Sequence, residues 1–289
     1  MKILLLGQHG QVSRELQWLL ESRHELIVLG REQLDLADID NLREAVRRLQ
    51  PELIINAAAH TAVDAAESEP EAAFAINAVA PGVLAEEAAA LEAPLIHYST
   101  DYVFDGSKAS AYIEEDAPNP LSVYGRSKLA GEQAIATVGG KHLILRTSWV
   151  YSLHGRNFLL TMQRLLQERE QLSVVADQVG APTWAGSIAA ATVQLIEHWQ
   201  QQQTAAWGIY HFSARGETSW FGFAEAIAAQ LQAQGKTVAQ LKPIATTEYP
   251  TPARRPLNSR LDCSRLERDW GVRLPDWHDG LLECLNTPR

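Results

Sequence analysis

The sequence predicts an α/β fold in which a doubly wound parallel sheet is followed by a smaller C-terminal lobe. Three features carry that expectation. Up to Val150, short apolar runs alternate with segments of helical periodicity. A glycine-punctuated turn joins the first run to the first helix, and beyond Val150 the alternation loosens. Strand–helix alternation needs crossover connections, and crossovers place helices on both faces of a parallel sheet.

The elements follow in order. "KILLL" is continuously apolar, as in a strand buried on both faces, and "QVSRELQWLLES" carries apolar residues at helical spacing. "ELIVL" reads as strand; "IDNLREAVRRL" reads as amphipathic helix, with Asp38 or Asp40 as N-cap and Pro51 as its stop. Then come "ELIINAAA" (strand), "EPEAAFAINAVAPGVLAEEAAAL" (one long helix), "PLIHYST" (strand), "VYGRSKLAGEQAIATV" (helix) and "HLILRTSWV" (strand). Further on, "NFLLTMQRLLQERE" and "GSIAAATVQLIEHW" look helical, "GIYHFS" looks like strand, and "FGFAEAIAAQLQAQG" ends at Gly235. The polar "EHWQQQQTAAWG" reads as a surface connection and the proline-rich "YPTPARRPLNSRLD" as a fixed loop.

Bulk properties exclude several classes. With 289 residues, 46% of them hydrophobic, the chain can bury on the order of three-quarters of its unfolded surface. Its net charge of −10, without a block of Lys or Arg, argues against a nucleic-acid partner. Cys263 and Cys284 form no metal-ligand spacing, and two free thiols fit a reducing compartment. The apolar run in "MKILLLGQHG" is too short for a signal segment or a membrane span, so a cytoplasmic protein with no membrane partner is expected.

The turn "LLLGQHGQVSREL" gives Gly7-x-x-Gly10-x-x-Ser13. Glycines there let the backbone turn tightly and let a pyrophosphate approach the positive end of the following helix. A glycine pair also occurs in ordinary strand–helix turns, but its place after the first buried strand favours a Rossmann-like dinucleotide site. Residues 1–150 are therefore expected to form a dinucleotide-binding domain, to whose sheet later segments such as 207–213 return. Residues 151–289 would form the substrate-binding lobe. At the end of the second strand stand Gly30 and Arg31, where NAD-binding sites place an acid against the ribose. A guanidinium there suits a 2′-phosphate, favouring NADPH with NADH as the alternative, although a solvated surface arginine would look the same. Asp35 could reach the adenine, and the alanines at 57–59 would let the backbone run close beside a cofactor.

In "VYGRSKLAGEQ", Tyr124 and Lys128 sit one helical turn apart on one face. At about 4 Å and an effective dielectric near 20, their attraction would be about 4 kcal/mol, close to three pKa units as an upper value. That would draw the phenol toward neutrality, where acid–base catalysts work best. A surface tyrosine lying along a lysine stem gives the same spacing. Upstream, "HYSTDYVFDG" ends an apolar strand with Ser99, Thr100 and Asp101, at the edge where parallel sheets bind ligands. A hydroxyl there can bond the same substrate oxygen as the tyrosine.

With these residues in place, the chain resembles the extended short-chain dehydrogenase/reductases, and within them the dTDP-4-dehydrorhamnose reductases. The resemblance runs over nearly the whole length through "GQHGQVSREL", "INAAAHTAVDAAESEP", "HYSTDYVFDG", "YGRSKLAGE", "RTSWVY", "DQVGAPT" and "YPTPARRPLNSRLD". It implies hydride transfer to C4 of dTDP-4-dehydro-6-deoxy-L-mannose, giving dTDP-L-rhamnose. It further implies Tyr124 as proton donor, Lys128 on the nicotinamide ribose and lowering the tyrosine pKa, and Thr100 on the carbonyl. Gly10, Gln11 and Val12 would lie against the pyrophosphate, Asp35 and Leu36 near the adenine, and Ala59, His60 and Thr61 beside the cofactor's middle. Asp101 and Trp149 would face the sugar, and Arg255 would meet the diphosphate. Some family members are described with Mg²⁺ and as dimers; nothing in these residues places an ion, or decides between monomer and homodimer.

Plainer readings stand beside several of these. His60 could be a loop histidine and Trp149 a core residue. His97, inside a strand, reads as a satisfied core histidine. Asp64, Glu67, Glu69 and Glu71 read as a solvated loop and an acidic first helical turn rather than a metal cluster. Arg254 and Arg255 could be an exposed pair. Two other functions fit the fold: a non-catalytic NADP-binding regulatory subunit, like the animal methionine adenosyltransferase β subunit, or an epimerase or dehydratase on another nucleotide sugar.

Overall fold

The apolar runs of the first half become five strands of one sheet, four of them inner and "ELIVL" at an edge. A computed structural model describes residues 1–202 and 205–287. The sheet comprises β1 (Lys2–Leu6), β2 (Glu25–Leu29), β3 (Leu53–Asn56), β4 (Leu95–Thr100), β5 (His142–Thr147) and β6 (Gly208–His211), all parallel. Their spatial order is β2–β1–β3–β4–β5–β6. The order reverses between β1 and β3, so a crevice opens beyond their carboxyl ends. "GIYHFS", far along the chain, supplies the last strand and pairs with β5.

Successive side chains of a strand point to opposite faces, and each face here has its own helices. Ile3, Leu5 and Ile55 pack with Leu16 and Leu20 of α1 (Gln11–Leu20) and with Ile188 and Leu195 of α5 (Ala185–Gln202). Leu4, Leu6 and Ile54 pack on the other side against α2 (Ile39–Leu49), α3 (70–90) and α4 (Val123–Val138). Asp38 caps α2 by accepting from the Asn41 N–H at 3.1 Å, and the left-handed Gln50 ends it before Pro51. Helix α3 runs from Pro70–Phe74 through a π-helical turn at Ala75–Val79 into Ala80–Ala90. One uninterrupted helix was expected here. The widened turn has a covalent cause: Pro81 has no N–H to return to the Asn77 carbonyl. That carbonyl instead abuts Gly131 of α4, where a Cβ could not fit.

Residues after 150 divide between two layers. Phe158–Glu168, Trp220–Ala233 and Trp277–Asn286 build the lobe around Leu159, Leu166, Phe223, Ile227 and Leu281. Beside them a two-stranded parallel sheet joins Gln171–Val175 to Gln240–Ile244. In contrast, α5 and Ser264–Trp270 cover the first sheet, with Leu266 and Trp270 buried in its core. Residues 203 and 204 of the expected surface connection lie outside the described residues; α5 itself runs to Gln202. Among the described residues no helix is long and apolar enough to cross a membrane.

Candidate functional site

The carboxyl ends of β1 to β5 open onto a cavity of about 670 Å³. Its wall includes Gly7, Gly10, Gln11 and Val12; Gly30, Arg31, Asp35 and Leu36; Ala59, His60 and Thr61; and Tyr124 with Lys128. Residues picked out from four separate stretches of sequence thus share one surface.

At the glycine turn, α1 begins without a side-chain cap and with no acid in its first turn. Its free N–H groups and positive dipole end therefore face the cavity without a competing anion. Gly7 is left-handed (φ +98°), and a Cβ there would sit 2.9 Å from the Ala57 carbonyl carbon and oxygen. Its lack of a side chain lets β1 and β3 end side by side, a requirement of the fold as much as of a ligand. Ser13, in the place of a third glycine, is fully buried and accepts from Gln17 Nε2 at 3.3 Å. Arg31 is exposed at the rim, its Nε 3.6 Å from Asp35 Oδ2.

The cavity's middle is framed by the π turn of α3. Asn77 Oδ1 accepts from the His60 N–H at 2.8 Å, while its Nδ2 donates to the His60 carbonyl and to Ser127 Oγ, each at 3.0 Å. His60 Nε2 lies 3.3 Å from Glu69 Oε2.

At the inner end, α4 is held by two caps: Ser122 Oγ accepts from the Gly125 N–H at 3.1 Å and Glu67 Oε1 from the Val123 N–H at 2.8 Å. This fixes the first turn, which carries Tyr124. Its ring meets Tyr102 edge-on at 5.6 Å, and Thr100 at the end of β4 is near enough to act on the phenol. Thr100 also donates to Asp101 Oδ1 at 3.0 Å. Burial pushes the Tyr124 phenol up to about 12, against a downward pull from Thr100.

The expected lowering of the Tyr124 pKa by Lys128 is therefore overturned. Lys128 is 1% exposed, and its Nζ turns to the sheet, 2.6 Å from the Tyr98 carbonyl and 3.0 Å from His97 Nε2. Burial brings the amine down to about 8, with Glu132 acting upward. Glu132, buried one turn further along α4, receives Arg146 Nε at 3.0 Å and Nη2 at 2.7 Å, and Ser99 Oγ at 2.5 Å.

The residues expected to meet the sugar nucleotide lie outside this cavity's wall. Asp101 is buried, and burial raises its carboxyl to about 6 while Ser259, Thr100 and Ser148 act downward. Trp149 adopts a left-handed backbone (φ +47°) and stacks on Trp220 of the lobe at 3.6 Å. Arg255 donates to Asp64 Oδ2 at 2.8 Å and lies near Tyr102, whose ring meets that of Tyr124. Three of the four acids of the "AVDAAESEPE" stretch are thus engaged, Asp64 by Arg255, Glu67 by α4 and Glu69 by His60, while Glu71 is exposed. Sequence reasoning missed the lobe's own contribution. Gln11 Oε1 accepts from Ser152 Oγ at 3.0 Å and Asn157 Nδ2 at 2.8 Å, drawing Gly155 and Arg156 to the cavity wall. No local pattern signals a contact across 141 residues.

The family model described as the RmlD substrate binding domain matches residues 1–289, the full chain. The protein belongs to that family. Within the RmlD family, the dTDP-4-dehydrorhamnose reductase of Burkholderia thailandensis is 45% identical over 292 residues, covering 99% of this chain and 98% of the relative. The Escherichia coli enzyme of that name is also 45% identical, over 99% and 97%. The crystal structure of dTDP-4-dehydrorhamnose reductase from Bacillus anthracis in complex with NADP matches with a TM-score of 0.91 at 35% identity, over 99% of both chains. The residues present here fit such a nucleotide. The cavity has the size of a cofactor site, the α1 N-terminus offers free donors, and His60 Nδ1 and Thr147 Oγ1 are buried in its wall without partners.

Proposed function

We propose that the protein reduces the C4 keto group of dTDP-4-dehydro-6-deoxy-L-mannose with NADPH, giving dTDP-L-rhamnose. The convergence of Tyr124 and Lys128 at the inner end of a cavity that starts at an uncapped helix carries this reading. Bound NADPH supplies the hydride. Gly10, Gln11 and Val12 would hold its pyrophosphate, and Arg31 its 2′-phosphate. Asp35 and Leu36 would hold the adenine end, and Ala59, His60 and Thr61 the middle.

Tyr124 gives its proton to the oxygen of the carbonyl being reduced. A phenol with a pKa of about 12 is fully protonated at neutral pH, the state a donor needs, and an alkoxide is basic enough to take the proton. Thr100, beside the phenol, would polarise the same oxygen. Lys128, as ammonium, would bind the ribose hydroxyls. Asp101 and Trp149 would face the sugar. Arg255 would exchange Asp64 for the substrate diphosphate, a trade of one charge-assisted pair for another. Every group in this scheme comes from one chain, so a monomer suffices and a homodimer is compatible. NADPH dependence fits a cytoplasmic setting.

The test is NADPH absorbance on addition of the 4-keto sugar nucleotide. Oxidation with formation of dTDP-L-rhamnose is expected. NADPH binding without turnover would replace the reading with a regulatory subunit, and tightly held NAD⁺ in the purified protein would replace it with an epimerase or dehydratase.

A further inference from the structure

His97 is fully buried in the middle of β4, and each ring nitrogen has one near polar neighbour. Nδ1 lies 3.1 Å from Asn56 Nδ2, and Nε2 lies 3.0 Å from Lys128 Nζ. The Asn56 amide is oriented independently, because its Oδ1 accepts from the Ala58 N–H at 3.2 Å. Its NH₂ therefore faces the ring, and Nδ1 must accept. A neutral imidazole accepting at Nδ1 carries its proton on Nε2. That N–H points at Lys128 Nζ, which itself donates to the Tyr98 carbonyl at 2.6 Å. An ammonium has three donors and no lone pair, so it cannot accept from Nε2. The bonding closes when Lys128 is an amine, receiving the imidazole N–H on its lone pair and giving one of its own hydrogens to Tyr98. A doubly protonated His97 is opposed both by burial and by the Lys128 charge.

We propose that His97, oriented by Asn56, is a positioning residue for Lys128 that favours the amine and so sets the pH above which activity is lost. The groups around Lys128 are few. On α4 they are Tyr124 one turn before and Glu132 one turn after, the latter tied to Arg146 of β5; on β4 they are His97 and the Tyr98 carbonyl. Glu132 and the Tyr98 carbonyl support the charged form, while burial opposes it and the His97 N–H opposes it further. This inference rests on the reading that the ammonium form of Lys128 is the active one. Activity then falls as pH rises through the Lys128 pKa, and any change that favours the ammonium moves that alkaline limb upward.

Two measurements on the full chain decide it. Nitrogen-15 NMR of histidine-labelled protein reads the tautomer directly, with His97 assigned by the signal missing from His97→Gln or His97→Asn. The Nε2–H form is expected; the Nδ1–H form overturns the proposal. In pH–rate profiles, His97→Gln can turn an amide oxygen toward Nζ, so the alkaline limb of kcat/KM should rise by about one pH unit. A limb unmoved in a His97→Gln protein that still binds NADPH and turns over also overturns it. If the wild type oxidises no NADPH with the keto sugar, the reading of the activity fails instead, and the wild-type tautomer still decides the role of His97.

Discussion

Tyr124 and Arg31 are the residues whose replacement separates chemistry from binding. Tyr124→Phe keeps the ring and its edge contact with Tyr102 while removing the acidic proton. Turnover should fall to at most a few per cent, with NADPH affinity by fluorescence titration nearly intact; substantial residual turnover would move the proton-donor role elsewhere. Arg31 stands exposed at the rim beside Asp35. Arg31→Asp should shift the ratio of kcat/KM from NADPH toward NADH, and an unchanged ratio would assign the 2′-phosphate to another cation. Residue spacing made the Tyr124–Lys128 pairing legible, but not its electrostatics. A four-residue interval fixes where two side chains start; a carbonyl and an imidazole thirty residues upstream decide where the lysine ends.

At the scale of elements, the first turn of α4 bears the chemistry, and three contacts seat it: the Ser122 cap, the Glu67 cap and Gly125 against the Tyr102 carbonyl. A Cβ at Gly125 would collide with that carbonyl, so Gly125→Ala should displace Tyr124 and depress kcat far more than NADPH binding. Ser122→Ala should cost about 1 kcal/mol of stability by urea denaturation, the usual effect of losing an N-cap. The strands and helices of the first half were legible because burial on two faces and amphipathic periodicity are local signals. The π turn was not: Pro81 marks a missing N–H, but the long alanine-rich run around it reads as plain helix. Glu67 gave no such sign: an acid in a solvated-looking loop becomes a cap only once the loop meets α4 in space.

Across the whole molecule, the buried pair Arg146–Glu132 ties β5 to α4 directly beneath the site. Removing one partner strands the other charge in the interior, so Arg146→Met should destabilise the protein by about 3–5 kcal/mol in chemical denaturation. A loss below about 1 kcal/mol would mean that water reaches Glu132 there. Long-range order was the least legible layer. Gln171–Val175 and Gln240–Ile244 are adjacent only after folding, and α5 returns to the first sheet because its apolar face matches α1. No window of sequence contains both partners of such a match. The stacked indoles of Trp149 and Trp220 join the sheet's end to the lobe, 3.6 Å apart and within 9° of parallel. Two chromophores so close share their excited states, and that coupling survives only while both halves keep their mutual pose. The stacked pair is thus an optical gauge, and the circular dichroism of the protein, compared with that of Trp220→Phe, should report any change in that pose.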